Sequence, residues 1–277
     1  MKSPLVTGAS AGIGLEVARG LAVAGFRTIL AVRDRQRGEA AAESIAASAK
    51  GSRPEVRLVD FSSAESIQAF AKDFVTAHPV LDVLVNNAGT WSMARRENSA
   101  GQELVWATNQ LGYFLTTELL RGALLEAPSA RVVNVASELA HSLDLDDLGF
   151  ERRFYTGVAS YAQSKQANRM WTRALARRFA GSKVTANSMH PGGVATGLFA
   201  KGGGFVAKAA GGLASLVGKS PAEGADTIVW LATSADVEGR SGRFYVDRKE
   251  RPCRFVNERE EERLYDVCAA MTGVGTY

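Results

Sequence analysis

Apolar positions along this chain follow two rhythms in turn. Short runs, apolar at most positions, occur at Leu5 to Thr7, Phe26 to Val32, Glu55 to Val59, Leu81 to Val85, Arg131 to Ala136, Lys183 to Met189 and Arg243 to Val246, and predict largely buried strands. Between them, apolar residues return every three or four positions, as in Leu15, Val17, Ala18, Leu21 and Ala22, which predicts amphipathic helices. Further helical stretches run over Gln36 to Ala49, Ser63 to Ala77, Gln102 to Leu125 and Tyr161 to Ala180, and another starts at Pro221. Alternation of this kind predicts an α/β fold: one doubly wound domain over residues 1–277, with about seven mostly parallel strands and helices on both faces.

Three stretches depart from the pattern. Residues 138–158 are irregular and carry Asp144, Asp146 and Asp147. Residues 195–219 are glycine-rich and interleave small with apolar side chains, which is long for a connection and predicts a lid over a substrate site. Residues 248–277 form a charged C-terminal tail whose Glu258 to Arg263 segment reads as an exposed helix.

Composition narrows the classes. Of the 277 residues 46% are hydrophobic, enough for a sizeable core, and the net charge of +4 is mild. Arg95-Arg96, Arg152-Arg153 and Arg177-Arg178 are short runs without interleaved aromatics, so they read as solvated faces and no nucleic-acid partner is expected. Cys253 and Cys268 lack metal spacing, which predicts neither a metal site nor a disulfide framework. The chain enters an apolar strand directly after Met1-Lys2-Ser3-Pro4, and no apolar run approaches the ~20 residues of a membrane span. A cytoplasmic protein without a transmembrane segment is the expectation.

Candidate chemistry falls directly after the strands, at the carboxyl edge where doubly wound sheets bind ligands. Thr7-Gly8-Ala9-Ser10-Ala11-Gly12-Ile13-Gly14 places glycines between a strand and a helix, where backbone N–H groups can approach a pyrophosphate. Arg33, with Arg35 and Arg37 behind it, ends the second strand, where a cation accommodates a 2′-phosphate; this favours NADP(H) over NAD(H). Asp34 is open to two readings, a ribose ligand or a helix cap. Asp60-Phe61 closes the third strand, Asn86-Asn87-Ala88-Gly89 the fourth, Ser137 the fifth and His190-Pro191-Gly192-Gly193-Val194 the sixth. Asn109 interrupts an apolar helix, so it either bonds locally or lines a polar site. Tyr161 and Lys165, four apart, share one helix face. An ammonium beside a phenol favours phenolate and should bring its pKa down toward working pH, as acid–base catalysis requires.

These motifs, in this order over nearly the whole chain, resemble the short-chain dehydrogenase/reductase family. Thr108 to Leu115, Val132 to Ser137, Asp144 to Leu148, His190-Pro191-Gly192 and Gly242-Arg243-Phe244-Tyr245 are similar to its retinol-dehydrogenase-like branch. Two departures are the missing apolar N-terminal anchor and Ala136, where a second Ser is common.

The resemblance implies a Rossmann-type fold and an oxidoreductase. It makes Tyr161 the acid/base, Lys165 the residue that depresses its pKa and bonds the nicotinamide ribose, and Ser137 a donor to the substrate oxygen. Asn109 would hold a water that links Lys165 to solvent. Gly8, Ser10, Ala11, Gly12, Ile13 and Gly14 would cradle the pyrophosphate, and Arg33 would meet the 2′-phosphate. Asp60 and Phe61 would bound the adenine, Asn86, Ala88 and Gly89 would lie along the ribose, and Pro191, Gly192, Val194 and Thr196 would bound the nicotinamide. The expected partner is a small, fairly apolar carbonyl or alcohol, such as a retinoid-like or long-chain aldehyde, a steroid or a ketone. The expected assembly is a monomer or homodimer. Two other readings stay open: a non-catalytic dinucleotide sensor, and a lid that rests on a membrane surface.

Overall fold

The computed structural model describes residues 2–49, 53–193 and 218–275. Val194, Thr196 and nearly all of the expected lid lie outside them. Its centre is a sheet of eight strands in the order β3-β2-β1-β4-β5-β6-β7-β8. These are β1 (Pro4–Thr7), β2 (Ile29–Val32), β3 (Glu55–Leu58), β4 (Val83–Asn86), β5 (Ala130–Val135), β6 (Val184–His190), β7 (Phe244–Val246) and β8 (Lys249–Arg251). All pairings are parallel except β7 with β8. That eighth strand, outside the predicted set, is three exposed residues, too short and polar to leave an apolar signature.

The inner strands are apolar at successive positions because both faces are covered. Leu5, Ile29 and Leu84 join a core with α3 (Ala64–Ala77), α5 (Gly112–Leu119) and α7 (Gly157–Arg178). Their neighbours Val6, Leu30, Val83 and Val85 face the other way, toward α1 (Gly12–Val23), α2 (Arg35–Ser48) and α8 (Pro221–Thr233). Chain order reverses between β2 and β4 on either side of β1, which opens a crevice at the carboxyl ends of β1 and β4.

Two predicted elements are corrected. The expected continuous helix over Gln102 to Leu125 is divided into α4 (Leu104–Trp106), a π-helical turn (Ala107–Leu111), α5 and α6 (Arg121–Leu125). The tail helix is also longer and less exposed than its charges suggest. It spans Glu258–Thr272 (α9) and buries Glu261, Leu264, Tyr265, Cys268 and Ala269. Glu261 is buried because Arg173 Nε (2.7 Å) and Arg177 Nη1 (2.6 Å) on α7 meet it.

Of the arginine pairs, Arg95, Arg96 and Arg152 are exposed, whereas Arg153, Arg177 and Arg178 are half-buried and depart from the expected solvated faces. Arg177 and Arg178 clasp Glu262, at 2.7 and 2.5 Å. Arg153 holds Asp147 at 3.1 Å, and Arg95 donates to the Gly149 carbonyl at 2.7 Å. The ties of Arg177 and Arg178 are ones that a local charge pattern does not reveal, because Glu262 lies more than 80 residues further along the chain. Among the described residues no helix is long and apolar enough to cross a membrane, and no His/Cys/Asp/Glu group could hold a metal ion.

Candidate active site

The first loop and the loop after β4 are laced together. Thr7 Oγ1 donates to the Val85 carbonyl (3.1 Å) and accepts from the amides of Asn87 (2.8 Å) and Ala88 (2.9 Å). Asn87 Nδ2 returns a bond to the Thr7 carbonyl at 2.8 Å. Gly8 has a φ of +67° there, and a Cβ would fall 2.8 Å from Ala88 Cα. At Gly14 a Cβ would fall 2.5 Å from both the Gly8 carbonyl oxygen and Asn87 Nδ2. These two glycines therefore let two loops and a helix start occupy one small volume.

Helix α1 starts at this junction with Ala11 as its cap and no side chain accepting from its first amides. By contrast, Asp34, Ser63, Thr156, Ser220 and Asn257 cap α2, α3, α7, α8 and α9 with their own side chains. An α1 terminus with free donors beside Ser10 and Gly12 fits the phosphates of a dinucleotide. Asp34 resolves as the cap, accepting from the Arg37 amide at 3.0 Å. Arg33 beside it is exposed and has no ion-pair partner among the described residues. Asp60 Oδ1 accepts from the amide (2.9 Å) and hydroxyl (2.7 Å) of Ser62, and Phe61 is buried below. Asn86 is sealed inside, donating to Thr117 Oγ1 (3.0 Å) and Asn134 Oδ1 (2.8 Å); its amide ties β4 to α5 and β5. Pro191 and Gly192 follow β6 at the same edge.

Tyr161, Ser137, Lys165 and Asn109 meet on the β5 side of this crevice. Helix α7 is buried along most of its length, and Thr156 caps it by accepting from the Ala159 amide at 3.0 Å. Ser137, two residues past β5, stands beside the Tyr161 phenol and draws its pKa down. Its Oγ also accepts from the Leu139 amide at 3.1 Å. Trp91 packs on Tyr161, ring centres 5.1 Å apart and planes tilted by 50°, and Val105 and Leu139 complete an apolar wall.

The expected electrostatics are corrected here. Burial pushes the Tyr161 phenol up to about 12, opposed by the neighbouring Ser137 hydroxyl. Burial also brings the Lys165 ammonium down to about 7. Lys165 Nζ lies 5.7 Å from the Tyr161 ring centre and donates to the Val135 carbonyl (2.7 Å) and Asn168 Oδ1 (3.0 Å). Desolvation therefore outweighs the neighbouring cation in the polypeptide itself.

Asn109 sits in the π-helical turn. Its Oδ1 accepts from the Thr90 amide at 2.8 Å, and its Nδ2 donates to the Thr90 carbonyl (3.1 Å) and Ser164 Oγ (3.2 Å). Of the two readings for a buried amide in a helix, local bonding is not the one seen: Thr90 and Ser164 lie 19 and 55 positions away, and Asn109 ties the π-helical turn to the loop after β4 and to α7.

Three site residues were not singled out from the pattern: Trp91, Asn168 and Arg169. Asn168 and Arg169 stand three and four positions after Lys165, polar residues on a buried helix face, which is the signal that could have found them. Arg169 is 2% exposed, donates to the Ser137 carbonyl and packs its guanidinium 3.7 Å from the Phe244 ring centre. Trp91 carries no local signal.

A glycine-lined helix start, a serine beside a buried tyrosine and an adjacent buried lysine thus share one sheet edge. The family profile described as short chain dehydrogenase matches residues 2–203, and the chain belongs to this family, whose members work with NAD(P)(H). It is 37% identical to retinol dehydrogenase 14 of Mus musculus over 99% of this chain and 86% of that protein. It is 38% identical to retinol dehydrogenase 12 of Bos taurus, covering 99% and 87%. Among solved structures, an uncharacterized protein from Mycobacterium paratuberculosis superposes with a TM-score of 0.76 at 28% identity, over 99% of this chain and 94% of that one. A metagenomic short-chain oxidoreductase in complex with NADP gives 0.67 at 26%, over 88% and 96%.

Proposed function

We propose that this chain interconverts a carbonyl and an alcohol on an apolar small molecule with NADP(H), using Tyr161 as the acid/base. The observation that carries this reading is the placing of Ser137 beside the buried Tyr161 phenol, one helical turn from Lys165, at the carboxyl edge of the sheet that also bears the open α1 terminus. When bound, the dinucleotide supplies or accepts the hydride. Ser137 and Tyr161 would both donate to the substrate oxygen in reduction; the Tyr161 phenol gives its proton to the nascent alkoxide, and in oxidation the phenolate takes it back. Lys165 would hold the ribose with the part of its ammonium not given to Val135 and Asn168 and, as a cation, would favour phenolate over phenol. Exclusion of water by Trp91, Val105 and Leu139 strengthens each of these interactions.

Support for NADP(H) comes from Arg33, exposed and without an ion-pair partner among the described residues, and from the commitment of Asp34 to its cap. Support for an apolar substrate comes from the Trp91 wall and from relatives named retinol dehydrogenases. The test is oxidation of NADPH and NADH with a panel of retinal, medium- and long-chain aldehydes and steroid ketones. Turnover with NADPH on apolar members, lost in Tyr161→Phe, is the expected result. Tight NADPH binding without turnover across the panel would replace the reading with a dinucleotide sensor.

A further inference from the structure

Asn168 is fully buried three residues after Lys165, so the two side chains leave α7 on the same face. Its Oδ1 accepts from Lys165 Nζ at 3.0 Å. Its Nδ2 donates to the Asn109 carbonyl at 2.9 Å and to Gln110 Oε1 at 2.8 Å. A backbone carbonyl only accepts, so the NH2 end must face Asn109 and the oxygen must face Lys165. Both amide protons are used on the side away from the lysine. Gln110 is anchored in turn by its Nε2 contact with Cys268 Sγ on α9, at 3.6 Å. The rigid acceptor presented to Lys165 is therefore held from the π-helical turn on one side and from the last helix on the other.

We propose that Asn168 is the positioning residue for Lys165, and that its amide stands where the family resemblance puts a water between Lys165 and Asn109. The inference rests on the reading of Tyr161 and Lys165 as the acid–base pair. It changes the proton route. A water in that place both accepts and donates, so it can hand a proton along. The Asn168 oxygen carries no proton, and the amide hydrogens point to Asn109 and Gln110. Lys165 thus exchanges its proton on the Tyr161 side, and the Asn109 turn serves orientation alone. Among the described residues, the titratable groups whose rings face Lys165 are Tyr161, at 5.7 Å, and Tyr113 on α5, at 5.1 Å.

The test reads Lys165 directly and needs no substrate. In full-length protein grown with 13C-labelled lysine, the Lys165 Cε signal is assigned by its loss in Lys165→Met and titrated against pH. Asn168→Asp puts an anion against the ammonium and should raise the Lys165 midpoint by a unit or more. Asn168→Leu keeps the volume and removes the acceptor, and should lower it by half a unit or more. Opposite shifts are not produced by a merely structural residue, whose loss would reduce thermal stability in both variants with the midpoint unmoved. A midpoint within 0.3 units of wild type in both folded variants overturns the proposal. Should Asn168→Asp fail to fold, Asn168→Leu decides alone, and Asn168→Ala replaces it if that fails too, with the same direction expected. Where the enzyme turns over, the basic limb of its pH–rate profile should move with the midpoint. If no substrate in the panel reacts, the NMR arm still decides, so failure of the functional reading and failure of this one are told apart.

Discussion

Lys165 points its ammonium at the Val135 carbonyl and at Asn168, and stands 5.7 Å from the centre of the Tyr161 ring. The pair is thus arranged so that one residue is held by neutral acceptors while the other meets Ser137. Replacing Tyr161 by Phe removes the proton donor and keeps the ring that packs on Trp91. Turnover should fall by roughly 10²–10⁴-fold, the usual contribution of a positioned acid. The dissociation constant for NADPH, read by fluorescence titration, should change little. Near-wild-type turnover would remove Tyr161 from the mechanism.

Arg169 is a second support beneath the site. Its guanidinium is buried, packs on Phe244 and donates to the carbonyl of Ser137. Arg169→Met keeps the bulk but leaves that carbonyl unsatisfied, at a cost of about 1–3 kcal/mol. The expected outcome is a lower melting temperature together with a fall in kcat, because the serine loses its fixed backbone. A variant that melts earlier yet keeps the wild-type kcat would show that the arginine serves stability alone.

Arg33 should set the choice of dinucleotide. A charge-assisted bond to a 2′-phosphate contributes about 1.5–3 kcal/mol, or roughly 10- to 150-fold in affinity. Arg33→Ala should raise the KM for NADPH by about that factor and leave the KM for NADH unchanged. Equal effects on both would move phosphate recognition to Arg35 or Arg37.

Asp147 organises the irregular stretch before α7. Burial opposes its charge, but the amides of Arg153, Glu151 and Arg152 and the Arg153 guanidinium outweigh that and hold its carboxyl down to about 2, against an ordinary 3.8. A depressed carboxylate stabilises the fold in full above its unfolded pKa and loses that contribution as pH falls through the folded one. Wild type should therefore melt higher than Asp147→Asn at pH 7, and the gap should close between about pH 4 and pH 2. A gap that stays constant over that range would mean that the carboxylate's charge is not what matters.

The chemistry of this site is legible in the sequence where it is local. The glycine turn, the Asp34 cap and the Tyr161–Lys165 spacing each depend on neighbours within one or two helical turns, and each has a distinctive residue type. What escapes is whatever depends on a distant partner. Glu261 reads as solvated until Arg173 and Arg177 meet it from a helix more than 80 residues earlier. Tyr161 reads as a phenol activated by its lysine because spacing shows proximity and not the burial that moves both groups. The π-helical turn escapes for another reason: one extra residue in a turn leaves the apolar pattern around Asn109 nearly intact.

That turn has a consequence for chain length. Each residue advances an α-helix by about 100°. The five residues Ala107–Leu111 therefore set the phase of all that follows on α5, including Phe114, whose ring lies 6.0 Å from Trp171 and 5.0 Å from Tyr265. Among the described residues the Thr108 hydroxyl bonds back into its own turn, to the Leu104 carbonyl at 2.8 Å, and its substitution should be mild. Its deletion should not be: a π-helical turn that loses one residue closes to an ordinary α-turn, which keeps α5 in phase but takes Asn109 away from Thr90 and Ser164. In this segment the number of residues, more than the identity of Thr108, decides where the Asn109 amide stands.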